Sequence, residues 1–217
     1  MGDPTISDTA INLIIAAEVT NEATYIRLYQ RPTWPGESSG VTIGIGYDCG
    51  YVSARELEED WRGLIPAEMV AELRRLALGV TGASAEARTE KLRSDGTVIV
   101  PWVAAIAEFR RTEMPKWIAR TAAALPHTST LHPDCLGALV SLAYNRGASF
   151  DLRGARFAEM RAIKAHMTSG ELSRIPAEIR SMSRLWPRTR GLRLRREDEA
   201  RLFEQGLAAQ REANGRS

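Results

Sequence analysis

Residues 41–48 read Val41-Thr42-Ile43-Gly44-Ile45-Gly46-Tyr47-Asp48, and the way this stretch folds decides the architecture of the chain. β-Branched residues alternate with glycine, which suits a strand of a small hairpin or three-stranded sheet. Side chains alternate across a strand, so regular pairing puts Thr42, Gly44, Gly46 and Asp48 on one face. That face would carry a hydroxyl, two bare backbone positions and a carboxylate. Such a surface can accept a polysaccharide and hold a water molecule. A plain hairpin whose glycines only permit twist fits the same letters.

Upstream, Ser7 or Asp8 can cap a helix with Ile11, Ile14, Ile15 and Ala17 on one side, ending near Val19. Glu18 closes that helix. Partial desolvation by the apolar side would raise its pKa, as a general acid requires; a solvated surface glutamate is the plainer alternative. Residues 21–40 read as irregular or extended, because Pro32, Pro35, Gly36 and Gly40 interrupt any helix. Downstream, Ser53-Ala54-Arg55-Glu56 has capping-box spacing. Helices are expected at about 66–78, 84–93, 101–113, 115–124, 133–145, 155–168, 175–185 and 195–210, with breaks at Gly79, Gly96, Pro126, Gly147, Gly170 and Pro187. Without a repeat or a low-complexity linker, residues 1–217 read as one domain. The class is α+β, mostly α: a small β lobe over about 20–52, then a helical lobe over about 53–210.

The composition, 44% hydrophobic and 26% charged over 217 residues, is that of an ordinary globular protein. Net charge is +2 but uneven: from residue 151 onward there are 15 Arg and Lys against 9 Asp and Glu. A basic C-terminal third suits an anionic partner or a solvated helix surface equally well. Nucleic acid is disfavoured, because Glu197, Asp198 and Glu199 interrupt the arginines and no recognition motif accompanies them. Cys49 and Cys135 make no disulfide framework, though they could pair if close. His127, His132 and His166 have no metal-ligand spacing and no triad companions, so neither metal nor cofactor is expected. Trp102, Trp117 and Trp186 are assigned to the core. The N-terminus lacks a signal-peptide pattern and no apolar run is long enough to span a membrane, so synthesis in the cytoplasm is expected.

A glutamate closing the first long helix, followed by Thr42-Ile43-Gly44-Ile45-Gly46, resembles the phage lysozyme family. The order is closest to its pesticin-like muramidase domains, where the second acid lies just after the Thr-Ile-Gly strand. Two later stretches fit as well. Gly137-Ala138-Leu139-Val140-Ser141-Leu142-Ala143-Tyr144-Asn145-Arg146-Gly147 resembles the family's helix ending in an aromatic-Asn-x-Gly turn. Gly191-Leu192-Arg193-Leu194-Arg195-Arg196-Glu197-Asp198-Glu199-Ala200 resembles its C-terminal helix. The likeness runs in order over roughly residues 11–205.

What the resemblance implies is a lysozyme-like fold with a cleft between two lobes. Glu18 would be the general acid, Asp48 the second carboxylate, and Thr42 the hydroxyl that seats the attacking water. Typical phage lysozymes carry the second acid before the threonine, a place taken here by Thr24 through Tyr29. Glu22 and Glu37 are the only other acids between Glu18 and Thr42, and Glu37 is the fallback. Asn145 and Arg146 would line the cleft, or serve as a C-cap turn with Gly147, and Tyr47 would stack on a sugar. Glu18 would protonate the glycosidic oxygen opposite an anion; carboxyls ~6.5–9.5 Å apart give inversion, and ~5–5.5 Å opens the retaining route. The expected partner is peptidoglycan, attacked by a monomer released through a phage holin or delivered as an antibacterial effector. A lytic transglycosylase and a non-catalytic wall-binding protein are the rival readings.

Overall fold

A computed structural model describes residues 4–215 and is α+β, mostly helical, with one small antiparallel sheet. The chain forms two compact units. One comprises residues 18–114; the other joins the residues up to Ala17 with those from Pro115 onward. The hairpin therefore shares its unit with the helices from 53 to 114, which the sequence reading placed in the helical lobe.

Helix α1 (Asp8–Val19) begins where expected, with the Ser7 hydroxyl accepting from the Ala10 amide at 3.0 Å. Residues 21–40 are not all irregular, and that expectation is corrected by α2 (Glu22–Leu28). Asn21 is its N-cap, accepting from the Thr24 amide at 2.9 Å. Tyr25 anchors it, fully buried, with its hydroxyl donating to the Val100 carbonyl at 3.0 Å. Only the rest of the stretch, with its prolines, stays irregular.

The glycine-rich run is not one strand either. β1 (Thr42–Ile43) and β2 (Tyr47–Asp48) pair antiparallel, with Thr42 opposite Asp48 and Ile43 opposite Tyr47. The chain reverses over Gly44-Ile45-Gly46, with φ +60° at Gly44 and +82° at Gly46. Those left-handed values are why glycine stands there. A Cβ on Gly44 would also lie 3.0 Å from the Trp61 ring. Thr33 bridges to the other side of Thr42.

The rest of this unit is α3 (Ala54–Trp61), α4 (Ala67–Leu76), α5 (Ala83–Asp95) and α6 (Trp102–Glu108). Ser53 and Glu56 close the expected capping box on α3. Trp61, Leu57, Leu73, Ile43 and Ile45 are fully buried and form the unit's core. After α6 the helix widens into a π-helical turn over Phe109–Glu113, a feature often found near functional sites.

In the other unit follow α7 (Met114–Ala124), α8 (Pro133–Arg146), α9 (Ala158–Ser169), α10 (Ile175–Ser181) and α11 (Arg190–Gly215). Helix α8 is apolar on every side, so it must be central; every residue from Cys135 to Ala143 is buried. Two glycines let its neighbours close in. A Cβ on Gly137 would overlap Ala10 of α1, and one on Gly206 of α11 would lie 2.7 Å from the Cys135 sulfur. Trp117 and Trp186 pack at the edge of this core and Trp102 is half-buried in the other unit, whereas Trp61 is the fully enclosed one. Both cysteines are buried free thiols, and no described helix is long and apolar enough to cross a membrane.

Candidate functional site

Of the residues singled out, Thr42 and Asp48 come together, and they do so by pairing rather than by alternation along one strand. The Cys49 amide donates to the Val41 carbonyl at 2.9 Å, while Thr42 exchanges backbone bonds with Thr33 at 2.8 Å. Thr42–Asp48 is thus the non-hydrogen-bonded kind of pair, in which opposed side chains approach most closely. Thr42 is buried, and its hydroxyl lies 3.4 Å from the Gly40 carbonyl oxygen, to which it donates.

Asp48 is half-buried and firmly held. Its Oδ1 accepts from the Gly50 amide at 2.9 Å, and both oxygens accept from the Gly40 amide, at 3.1 and 3.0 Å. The carboxylate caps the 3-10 turn Cys49–Tyr51 and ties it to the loop before β1. The close approach depends on bare backbone: a Cβ on Gly40 would overlap Asp48 Oδ1 and stand 2.6 Å from Gly50 Cα. Asp48 is an oriented anion whose Oδ2 keeps spare acceptor capacity.

Glu18 occupies the last turn of α1, half-buried. Two residues on, Thr20 ends the helix with φ +66°. A β-branched residue in the left-handed region costs about 1–3 kcal/mol, strain of a kind that gathers at functional sites. The fallback acid Glu37 is exposed, at φ +50°, in a loop pinned by Trp34 Nε1 donating to the Ser39 carbonyl at 3.1 Å.

The stacking role expected of Tyr47 is overturned. As the partner of Ile43 its side chain faces the core, 1% exposed, edge-on to Trp61 at 5.4 Å, with its hydroxyl donating to Asp60 Oδ2 at 3.0 Å. Burial, then the Asp60 carboxylate, pushes its pKa well up. The exposed ring beside the hairpin is Tyr51, 66% exposed, whose hydroxyl donates to the Ser38 carbonyl at 2.6 Å. An aromatic just past Asp48, after a Cys-Gly turn, was the signal that could have found it.

Asn145 and Arg146 lie in the last turn of α8, in the other unit, both half-buried. Arg146 packs between rings: its guanidinium stands 5.0 Å from the centre of Trp186 and 6.0 Å from that of Phe157. Nη2 donates to the Arg156 carbonyl at 2.7 Å, while the buried Nε and Nη1 meet no acceptor among the described residues. Burial pulls its pKa down, with Arg156 and Arg184 adding to the effect.

Three fully buried charges escaped the sequence reading. Glu108 is fully buried at the end of α6, and its field adds to the burial that raises the Tyr47 hydroxyl and the Cys49 thiol. Its signal was a lone acid three and four residues after the buried Ala105 and Ala104, hence on the same helix face. Glu199 and Arg196 are fully buried in α11. Glu199 Oε1 accepts from the Ser141 hydroxyl at 2.6 Å and from Arg196 Nη2 at 2.8 Å, with Arg195 Nε at 3.2 Å. Burial pushes the Glu199 carboxyl up against the pull of both arginines.

Among the described residues no group of three or more His, Cys, Asp or Glu side chains is arranged to hold a metal ion. No protein family matches the chain, and no curated protein matches it in sequence.

Proposed function

We propose that the chain is a muramidase with a lysozyme-like fold, hydrolysing the β-1,4 bond between N-acetylmuramic acid and N-acetylglucosamine in bacterial peptidoglycan. The observation that carries this reading is the pairing of Thr42 with a backbone-anchored Asp48 in a glycine-rich hairpin. Beside it, Tyr51 offers an exposed ring of the kind that stacks on a sugar. Glu18 adds the acid, a half-buried carboxylate in the last turn of α1.

In this mechanism Glu18 gives its proton to the glycosidic oxygen as that bond breaks. The positive charge growing at the anomeric carbon is met by Asp48. Water held near the Thr42 hydroxyl attacks the opposite face and passes its proton to Asp48, and the configuration inverts. Glu18 regains a proton from solvent. An endolysin freed by a holin and an injected antibacterial effector both suit this activity.

One observation favours a second reading. The Asp48 carboxylate already serves the Gly40 and Gly50 amides, and a lytic transglycosylase needs no second carboxylate, since a hydroxyl of the sugar itself attacks. Mass spectrometry of digested peptidoglycan separates the two. Hydrolysis leaves reducing muramic ends, and Asp48→Asn, checked by its melting curve to be folded, slows it at least a hundredfold. Anhydro-muramic ends, released at an unchanged rate by Asp48→Asn, mean transglycosylation.

A further inference from the structure

We infer that the arginine-rich face of the unit containing α8 and α11 binds a phosphate-bearing polymer without bases, of the poly(glycerol phosphate) type. This goes beyond cleavage of the glycan and concerns no residue of the proposed catalytic hairpin.

Two segments, residues 152–157 and 184–193, are held side by side. Arg184 Nη2 donates to the Ala155 carbonyl at 2.5 Å and to Glu159 Oε2 at 2.9 Å. Arg146 joins them from beneath, bonding the Arg156 carbonyl while packing on the Trp186 ring. The second segment turns tightly, the Thr189 amide donating to the Trp186 carbonyl at 3.2 Å, and runs directly into α11.

This clamp presents Arg153, Arg156, Arg188, Arg190 and Arg193, all exposed. None of the five guanidinium groups makes a hydrogen bond or ion pair with a described residue. The nearby carboxylates are engaged elsewhere: Asp151 by Lys164, Glu159 by Arg184, Glu197 by Arg180, Asp198 by Arg201 and Glu199 within the core. The face therefore carries uncompensated charge, all of it guanidinium, the group whose planar fork suits phosphate oxygens. Arg146 adds a further positive charge, and no carboxylate among the described residues is hydrogen-bonded or ion-paired to it.

The same face is poor for nucleic acid. Binding of single strands rests on aromatic platforms for the bases, and here the Phe157 and Trp186 rings are half-buried against arginines. The large exposed hydrophobics in or next to these segments, Leu152 and Leu194, are aliphatic. Charge without stacking fits a flexible phosphodiester chain that bears no bases.

The test is titration with synthetic poly(glycerol phosphate) across a range of salt concentrations, with an oligonucleotide of equal phosphate number as the comparison. No peptidoglycan is present, so the outcome is readable whether or not the muramidase reading holds. The wild type should bind, weakening steeply as salt rises, because displaced counterions drive association. Replacing Arg153, Arg188, Arg190 and Arg193 together by glutamine should weaken binding at least tenfold and flatten the salt slope. Those side chains hold no internal bond, so the variant should melt with the wild type. The inference is overturned if the wild type does not bind, if the glutamine variant binds as the wild type does, or if the oligonucleotide binds tenfold more tightly than the base-free polymer.

Discussion

Asp48 and Glu199 are both carboxylates drawn away from bulk water, and the two units hold them in opposite ways. In the hairpin the acceptors are met by the Gly40 and Gly50 amides, so the site depends on missing side chains. In α11 the acceptors are met by Ser141, Arg195 and Arg196, so the site depends on charge. The first arrangement leaves an oriented anion with an oxygen to spare, which chemistry can use. The second encloses its acid, fully buried, against two guanidinium groups, which suits cohesion of a core. The difference separates a candidate for catalysis from a candidate for stability.

Glu199→Ala should break the charge-held site with the largest effect. Arg196 would remain fully buried without its carboxylate, a loss of about 3–5 kcal/mol, readable as a fall in denaturant midpoint. A loss below about 1 kcal/mol would show the cluster to be hydrated. Gly40→Ala attacks the backbone-held site. Its Cβ overlaps the carboxylate it should serve, and about 1–3 kcal/mol of overpacking is expected. Peptidoglycan cleavage should fall with it; retained stability and activity would show that the loop yields.

Glu159 sharpens the contrast through pH. Burial pushes this carboxyl up, but the Arg184 guanidinium and the Ser181 hydroxyl more than offset it, holding the pKa below the usual carboxylate range. A depressed folded value adds stability above the unfolded pKa of about 4.3, and that stability is lost as pH falls through the folded value. The gap in melting temperature between wild type and Glu159→Gln should therefore be open at pH 7 and close below about pH 4. A gap constant with pH would make the pair energetically neutral. The smallest effect lies beside Glu18: Thr20→Gly relieves the left-handed strain and should add about 0.5–1 kcal/mol; an unchanged or lower denaturant midpoint would show that Thr20 carries no such strain.

Much of the scaffold was legible because it rests on local rules. The Ser53–Glu56 capping box, the α1 boundaries and the apolar α8 follow from neighbours in sequence. Asn21 with Glu22 was an N-cap signal too, but the prolines at 32 and 35 obscured it, and tertiary burial of Tyr25 fixed the helix. Reading residues 41–48 as one alternating strand brought Thr42 and Asp48 together for the wrong reason. The reversal at Gly44–Gly46 pairs them across strands and turns Tyr47 inward. Charge burial was the least legible. Nothing local distinguishes Arg196 from Arg193, yet one is enclosed and the other exposed, because helix packing decides which face of α11 is covered.

The central claim is that the Glu18 proton breaks the glycan. Purified peptidoglycan digested by wild type and by Glu18→Gln, with soluble fragments followed over time, tests it most directly. Muropeptide release is expected from the wild type, with release at least a thousandfold slower from Glu18→Gln, checked by its melting curve to be folded. Equal release by both proteins, or none by the wild type, would contradict it.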